Sequence, residues 1–325
     1  MTDEQYDVVI VGGGAAGLSA ATALGRARRT VVVIDAGEPR NALAEGVHNV
    51  LTRDGIAPAE LVAIGRAEAA VYGVEFLDGS VDHAEPVGDG FAVTVGALVV
   101  TARRLLLASG LIDELPTVPG LRERWGRDAL HCPYCHGWEV RDQRIGVLDA
   151  GAFSAHRALL FRQWSAEITL FLDGATALTA EESEQLAARG IAVVRGEADR
   201  VVVERDAIVG LEVSGVVHPL DAVVVTAKVH PRVPEGLGVE IAEHPMGMGT
   251  HVVTTPTGAT SVPGVWAAGN VTDLAAQVVT AAAAGLWAGA QINLDLIGAD
   301  TRAAVAASRA DARRAAVAAS RADAR

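Results

Sequence analysis

The sequence predicts an α/β protein built from two parallel-sheet units, and three observations carry that expectation. First, Tyr6–Val11 (YDVVIV) is an unbroken apolar run closing on Gly12, Ala15 to Arg26 is rich in small residues and good helix formers, and Thr30–Ile34 is a second β-branched run ending at Asp35. Strand, turn, helix and strand in this order open a parallel unit. Second, the order starts again near Arg144, with a strand over Arg144–Leu148, a helix over Ala152–Trp164 and a strand over Ile168–Leu172. Third, further strand-like runs lie between and after the two units. They are Phe91–Val95, Ala97–Val100 and Arg104–Ala108, then Ala192–Arg195, Arg200–Glu204, Ile208–Val213 and Ala222–Thr226, and finally Val265–Ala267, which leads through Gly269 into a long uncharged stretch. At 325 residues the chain has room for about two domains. The expected architecture is two Rossmann-like, three-layer ββα nucleotide-binding domains, one inserted into the other.

Composition narrows the function. Half of the residues are hydrophobic and 21% are charged, enough for two buried cores. A net charge of −13 repels phosphate backbones, so no nucleic-acid partner is expected. The only cysteines, Cys132 and Cys135, rule out a disulfide scaffold and a four-cysteine zinc site. The N-terminus has no basic segment or cleavage site, so no signal peptide and a cytoplasmic location are expected. Leu274 to Leu294 carries no charge and is long enough to span a bilayer, but it is mostly Ala and Gly with Gln277, Thr280, Gln291 and Asn293 along it. A buried helix, without membrane insertion, is the expectation there. Arg302–Arg313 (RAAVAASRADAR) is repeated letter for letter at Arg314–Arg325, which reads as a duplicated, exposed and frayed helical tail without a role.

The first unit carries Gly12-x-Gly14-x-x-Gly17 between strand and helix. Gly12 permits the tight turn, Gly14 lets a pyrophosphate approach the backbone, and Gly17 lets helix and strand pack closely, with the helix N-terminus facing the phosphates. Asp35 ends the second strand, where it can accept hydrogen bonds from ribose hydroxyls. The N-terminal position of this unit favours FAD over a nicotinamide cofactor.

The chemistry is expected in His131-Cys132-Pro133-Tyr134-Cys135-His136-Gly137-Trp138-Glu139. Two intervening residues let the cysteines close a small disulfide, and such pairs can carry one thiol of depressed pKa. His131 and His136 can move protons as thiolates form and leave. A metal site from these four residues is disfavoured because both histidines lie too close to the cysteines for a closed tetrahedron, and no metal is expected.

These pieces resemble the low-molecular-weight thioredoxin reductases, flavoproteins of the pyridine nucleotide–disulfide oxidoreductase type. The matching segments are GGGAAG at Gly12–Gly17, LLLASG at Leu105–Gly110, CPYCHG, and VPGVWAAGNVTD at Val262–Asp273. The resemblance implies a discontinuous FAD domain over 1–113 and 241–300, an inserted NAD(P)-type domain over 114–240 bearing the redox pair, and a tail over 301–325. It implies a homodimer. It places FAD against Gly12, Gly14, Ala15, Ala16, Gly17, Asp35, Ala36, Gly37, Arg40, Asn41, Asn49, Gly110, Gly269, Asn270, Gln277 and Val278. Asn49 belongs to a polar cluster with His48, Arg53 and Asp54. Asn270 stands where the family usually has Asp, and it can still hydrogen-bond a ribityl hydroxyl or phosphate.

Two departures redirect the functional expectation. Where the family has a second Gly-x-Gly-x-x-Ala turn, this chain has Asp149-Ala150-Gly151-Ala152-Phe153-Ser154, with a carboxylate and a bulky ring near an incoming pyrophosphate. The next strand ends at Asp173-Gly174, and Ala175 to Glu182 carries no base for a 2′-phosphate. NADPH binding is therefore not expected. The residue after the second cysteine, usually acidic, is His136. Cys-x-x-Cys-His resembles the dithiol oxidases of gliotoxin and holomycin biosynthesis. That resemblance implies oxidation of a small-molecule dithiol to a disulfide, with electrons passing to oxygen. Cys132 would be the exchanging sulfur, Cys135 the one near the flavin, and His136 the general base. The alternatives are an NADPH-dependent or ferredoxin-linked thioredoxin reductase, or a non-enzymatic flavoprotein.

Overall fold

The computed structural model describes the backbone of residues 5–323 and the side chains of residues 5–314. In chain order, β1 (Tyr6–Val11), α1 (Ala15–Arg26) and β2 (Val31–Asp35) are followed by α2 (Pro58–Ala70), β3 (Glu75–Asp78), β4 (His83–Val87), β5 (Gly90–Val95) and β6 (Leu98–Leu107). Next come β7 (Leu111–Glu114), β8 (Ala129–Leu130), the short α3 (Pro133–His136), β9 (Ile145–Leu148), α4 (Ser154–Phe161), β10 (Ile168–Leu172), α5 (Ala180–Ala188) and β11 (Ala192–Arg195). A meander of β12 (Ala198–Glu204), β13 (Ala207–Val213) and β14 (Val216–Pro219) precedes β15 (Ala222–Val224) and β16 (Lys228–Pro231). The chain closes with β17 (Ile241–Glu243), β18 (Thr250–Val252), β19 (Val265–Ala267) and the long α6 (Val278–Asp323).

Two sheets organise these elements. The first has the order β3-β2-β1-β6-β5-β4, with β19 joining β6 in parallel through Val265–Leu105 and Ala267–Leu107. The second, β11-β10-β9-β15-β8, is parallel throughout. The chain thus leaves the first sheet after β6, builds the second, and returns at β19. The antiparallel β7–β16 pair lines the two crossings. Central strands are buried on both faces, as parallel strands covered on each side must be, so Val8, Val9 and Ile10 are all inaccessible. The second sheet packs α4 and α5 on one face, through Phe161 and Leu186, and the meander on the other, through Val201, Leu211 and Val213. This is the three-layer ββα arrangement.

The first site is positioned by a close helix crossing. A Cβ on Gly285 would lie 1.9 Å from the Ala16 carbonyl oxygen, and one on Gly289 would lie 3.1 Å from that of Ala20. Only glycine lets α6 approach α1 so nearly backbone to backbone. The crossing brings the residues leading into α6 beside the turn that starts α1.

Several elements differ from the sequence expectation. The runs at 97–100 and 104–108 form one strand, because the ladders to β1 and β5 continue through Ala102, which pairs with both Tyr6 and Phe91. The helix expected over 152–164 is shorter, with a 3-10 turn over Gly151–Phe153 preceding α4. The 274–294 stretch becomes helical only at Val278, and α6 is buried on one face alone. Ala281, Ala288, Ile292 and Leu296 face the core, while Leu286, Trp287 and Leu294 are exposed. The duplicated segment is helical, as expected, and continues α6 as far as Asp323. Its side chains from 302 to 314 are exposed, and its last two residues lie outside the described ones. Among the described residues, no helix is long and apolar enough to cross a membrane.

Candidate active site

The first glycine turn is open. A Cβ on Gly12 (φ +105°) would lie 2.4 Å from the Ala108 carbonyl oxygen, and one on Gly17 would lie 1.9 Å from that of Gly12. Packing requires both glycines. At Gly14 an added Cβ meets nothing within 4 Å. Gly14 is the N-cap of α1, no side chain caps that helix, and no acid sits in its first turn. The first turn of α1 thus keeps its amide groups free of a side-chain cap beside the open space at Gly14, an arrangement suited to an anion. Asp35 reaches back to the turn, where its Oδ1 accepts a hydrogen bond from the Gly13 N–H at 2.9 Å.

The other expected cofactor residues collect around this opening. Gly269 packs against α1, since a Cβ there would lie 2.8 Å from that of Ala16. Asn270 Nδ2 donates to the carbonyls of Asp273 (3.1 Å) and Ala276 (2.9 Å), so this amide shapes the loop into α6. Gln277 and Val278 stand at the start of α6. Gly110 (φ +71°) borders open space. Ala36 and Gly37 are exposed just after β2, and Asn41 is half-buried. Arg40 donates two hydrogen bonds to Asp113, at 2.7 and 2.6 Å. An open cradle, an uncapped helix N-terminus and an acid at the end of β2 fit FAD.

The redox pair lies on the second unit. Cys132 and Cys135 form a disulfide with Cα atoms 5.3 Å apart, at the start of α3. Pro133 occupies the first helical turn, where its missing N–H costs nothing. Gly137 is forced by packing, because a Cβ would lie 2.9 Å from the Trp164 ring. Tyr134 meets the same ring edge-on, at 5.5 Å between centroids. A loop of the first unit holds this helix. Asn49, at φ +61°, donates from Nδ2 to the Tyr134 carbonyl at 2.8 Å. His48 lies beside Asn49, with Nε2 3.4 Å from Glu139 Oε1 and Nδ1 3.4 Å from Asp54 Oδ2. The backbone N–H of Asn49 and the His48 ring hold the Asp54 carboxyl below the usual range.

The two histidines of the motif differ. His136 is half-buried, and neither ring nitrogen has a hydrogen-bond partner although both are enclosed. Burial pushes its pKa down, Glu139 opposes that, and His48 adds to it. A neutral imidazole with an available lone pair results at neutral pH. His131 stacks on Trp125 at 5.4 Å between centroids. Burial first, then Arg40, pushes it down to about 3, with Asp113 opposing and Arg157 and His136 assisting. It is neutral across the physiological range.

The second glycine turn is closed by its own side chains. Asp149 Oδ1 accepts from the Gly151 N–H at 2.9 Å and from Ser154 Oγ at 2.6 Å, while Oδ2 accepts from the Asp173 N–H at 3.2 Å. Ser154, almost fully buried, accepts in turn from the Ala150 N–H at 2.8 Å. Burial disfavours the Asp149 charge, but hydrogen bonds from Ser154, Thr176, Asp173 and Gly151 outweigh it and hold the carboxyl below its usual range. A carboxylate thus takes amide groups that a pyrophosphate would need. No cluster of three or more potential metal ligands occurs among the described residues.

The sequence alone did not connect His48 or Asn49 to the redox helix, or Ser154 to Asp149. The Asp149–Ser154 spacing was legible as a motif, but the contacts across the two units leave no signal in a single chain.

An open dinucleotide cradle on one parallel sheet and a redox disulfide on a second define a two-domain disulfide oxidoreductase. The chain belongs to the pyridine nucleotide-disulphide oxidoreductase family, whose model matches residues 6–285, and it is an oxidoreductase enzyme for which the family implies FAD. It has that family's fold, and it is similar to the crystal structure of HlmI, with 43% identity and a TM-score of 0.87 over 94% of this chain and 97% of that one. It is 32% identical to thioredoxin reductase sirT of Leptosphaeria maculans over 322 residues, 92% of this chain and 96% of that protein. It is also 38% identical over 155 residues to a probable thioredoxin reductase of Arthroderma benhamiae, covering 45% of this chain and only 38% of that protein.

Proposed function

We propose that the enzyme oxidises a small-molecule dithiol to an intramolecular disulfide, with dioxygen as acceptor and hydrogen peroxide as the second product. The net reaction balances as dithiol plus O2 giving cyclic disulfide plus H2O2. The carrying observation is the contrast between the closed Asp149 turn and the intact Cys132–Cys135 pair, which together disfavour electron entry from NADPH and leave entry from a thiol. The likeness to thioredoxin reductase sirT supports chemistry at a redox disulfide. The net charge of −13 disfavours a nucleic-acid partner. The exposed apolar stripe of Leu286, Leu294 and Ile297 on α6 supports assembly as a homodimer.

FAD would be held by the Gly12–Gly17 turn, by Asp35 and by the Gly269–Val278 loop. Bound there, it supplies a two-electron acceptor for the redox pair. A substrate thiolate attacks Cys132 Sγ, forming a mixed disulfide and releasing Cys135 as a thiolate. The second substrate thiol attacks the mixed disulfide, closes the product disulfide and releases Cys132. His136 takes the substrate protons at a ring nitrogen. Its depressed pKa keeps it unprotonated before each transfer. Asn49 keeps α3 in place through the Tyr134 carbonyl.

The test uses purified holoenzyme with a dithiol and no nicotinamide. Oxygen should be consumed and peroxide should appear in equal amount. Cys135→Ser should lower turnover by more than about 1000-fold while retaining flavin. Rapid flavin bleaching by NADPH, saturating at low micromolar concentration, would overturn the oxidase reading.

A further inference from the structure

Arg157 is a half-buried cation without a counter-ion. It stands on α4, the helix that follows the closed Asp149 turn. Among the described residues no carboxylate pairs with it, and burial alone shifts its pKa, downward. A desolvated charge with no anion beside it is costly. Backbone pairing fixes where this guanidinium lies. Val223 and Val224 pair in parallel with Ala129 and Leu130, and the Val225 N–H continues the ladder to the Leu130 carbonyl at 2.8 Å. One step further, a parallel ladder would carry the Cys132 N–H to the Val225 carbonyl. Arg157 Nη1 donates to that carbonyl instead, at 2.7 Å. The guanidinium therefore takes the ladder position next to Cys132. It lies at the carboxyl ends of β8 and β15, the end where parallel sheets bind their ligands.

Side-chain alternation sorts the neighbouring groups by face. Leu130 and Val224 pack with α4, against Ala155 and Ala158, while Val223 and Val225 pack with the meander. Thr226 follows Val224 onto the α4 face, and Cys132, still extended at φ −111° and ψ 115°, follows Leu130 there. His131, between them, stacks on Trp125, which packs with the meander core. Thr226 Oγ1 is enclosed and has no hydrogen-bond partner. A cation lacking an anion and a hydroxyl lacking a partner thus share the face that carries the exchanging sulfur.

We propose that Arg157 and Thr226 form a subsite beside Cys132 for a carboxylate on the dithiol substrate. The inference rests on the proposed dithiol oxidation and names the substrate class, a dithiol acid. With Nη1 on the Val225 carbonyl, the Nε–Nη2 edge of the guanidinium can grip a carboxylate through two parallel hydrogen bonds, and the Thr226 hydroxyl can add a third. Binding there makes and breaks no covalent bond. It holds the substrate so that a thiolate reaches Cys132 Sγ.

The experiment compares two dithiols of one skeleton, dihydrolipoate and its neutral amide dihydrolipoamide, by the rate at which each bleaches the flavin of the holoprotein without oxygen. Each gives up two electrons and leaves as a cyclic disulfide. Wild type should react roughly tenfold faster with the acid, although a net charge of −13 repels it. In Arg157→Gln the ratio of the two rates should fall to about one, a readout in which general damage to the redox helix cancels. Arg157→Lys keeps the charge but loses the fork and should give an intermediate ratio. Thr226→Val should lower the ratio about twofold. Flavin content and melting temperature check folding. Equal rates in wild type, or a preference for the acid that survives Arg157→Gln, overturn the subsite but keep the dithiol reading. If Arg157→Gln does not fold, unchanged ratios in both Arg157→Lys and Thr226→Val overturn the subsite. A wild-type flavin that neither dithiol bleaches overturns both.

Discussion

The two glycine turns of this molecule have the same local grammar and opposite contents. After β1, Gly14 opens onto empty space and the N-terminus of α1 has no side-chain cap. After β9, the Asp149 carboxylate sits among the amide groups of its own turn, braced by Ser154 and by the backbone of Asp173. A helix N-terminus attracts an anion in either case. The first turn leaves that place to a ligand, and the second fills it with a side chain. An anion site can thus be retired without rebuilding the fold, by supplying the anion internally.

Placing the second turn's device in the first should have the largest effect. Gly14→Asp has room for its side chain, so the fold should persist while FAD affinity falls by about 100-fold, on the order of 3 kcal/mol. Flavin absorbance after gel filtration, with circular dichroism as the control for folding, checks this. Loss of the fold would mean that Gly14 serves packing after all.

The converse change should have a smaller effect. Wild-type protein should show no saturable NADPH binding at micromolar concentration. Asp149→Gly combined with Asp173→Arg should tighten NADPH binding roughly tenfold by calorimetry, since a carboxylate leaves the pyrophosphate position and a cation faces the 2′-phosphate. Unchanged binding would show that Phe153 or the shape of the turn excludes the dinucleotide without help from charge.

The smallest effect concerns stability. Asp149→Ala should cost about 1 kcal/mol, because the lost hydrogen bonds to a charged group are partly exposed. The folded-state pKa lies below the unfolded value of roughly 3.9. The contribution is therefore complete above that value and is lost as pH falls through the folded one. Urea denaturation of wild type and variant should differ near neutral pH and converge in acid. A gap that survives once the carboxyl is protonated in the folded state would assign the effect to packing.

Much of the first site could be read from the sequence, because its requirements are local. Gly12, Gly14 and Gly17 lie within six residues, and Asp35 ends the adjacent strand. The redox pair was legible for the same reason. Strands β3 and β4 and helices α2 and α5 were not recognised, since half-exposed segments such as Glu75–Asp78 and His83–Val87 lack the apolar runs that marked the central strands. The single strand β6 was split in two because Thr101, Ala102 and Arg103 interrupt its hydrophobic pattern, while its ladder depends on β1 and β5.

The amino-acid order determined the α/β class, the placement of the redox pair and the presence of Asp149 in the second turn. These follow from periodicity and from residue types within short reach of one another. Only the tertiary structure decided that Asp149 bonds to its own turn, that Asn49 grips the Tyr134 carbonyl, and that His48 sits between Glu139 and Asp54. The contacts of Asn49 with Tyr134 and of His48 with Glu139 join residues 85 and 91 positions apart, which meet only because the chain leaves the first sheet, builds the second, and lays α3 against a loop of the first.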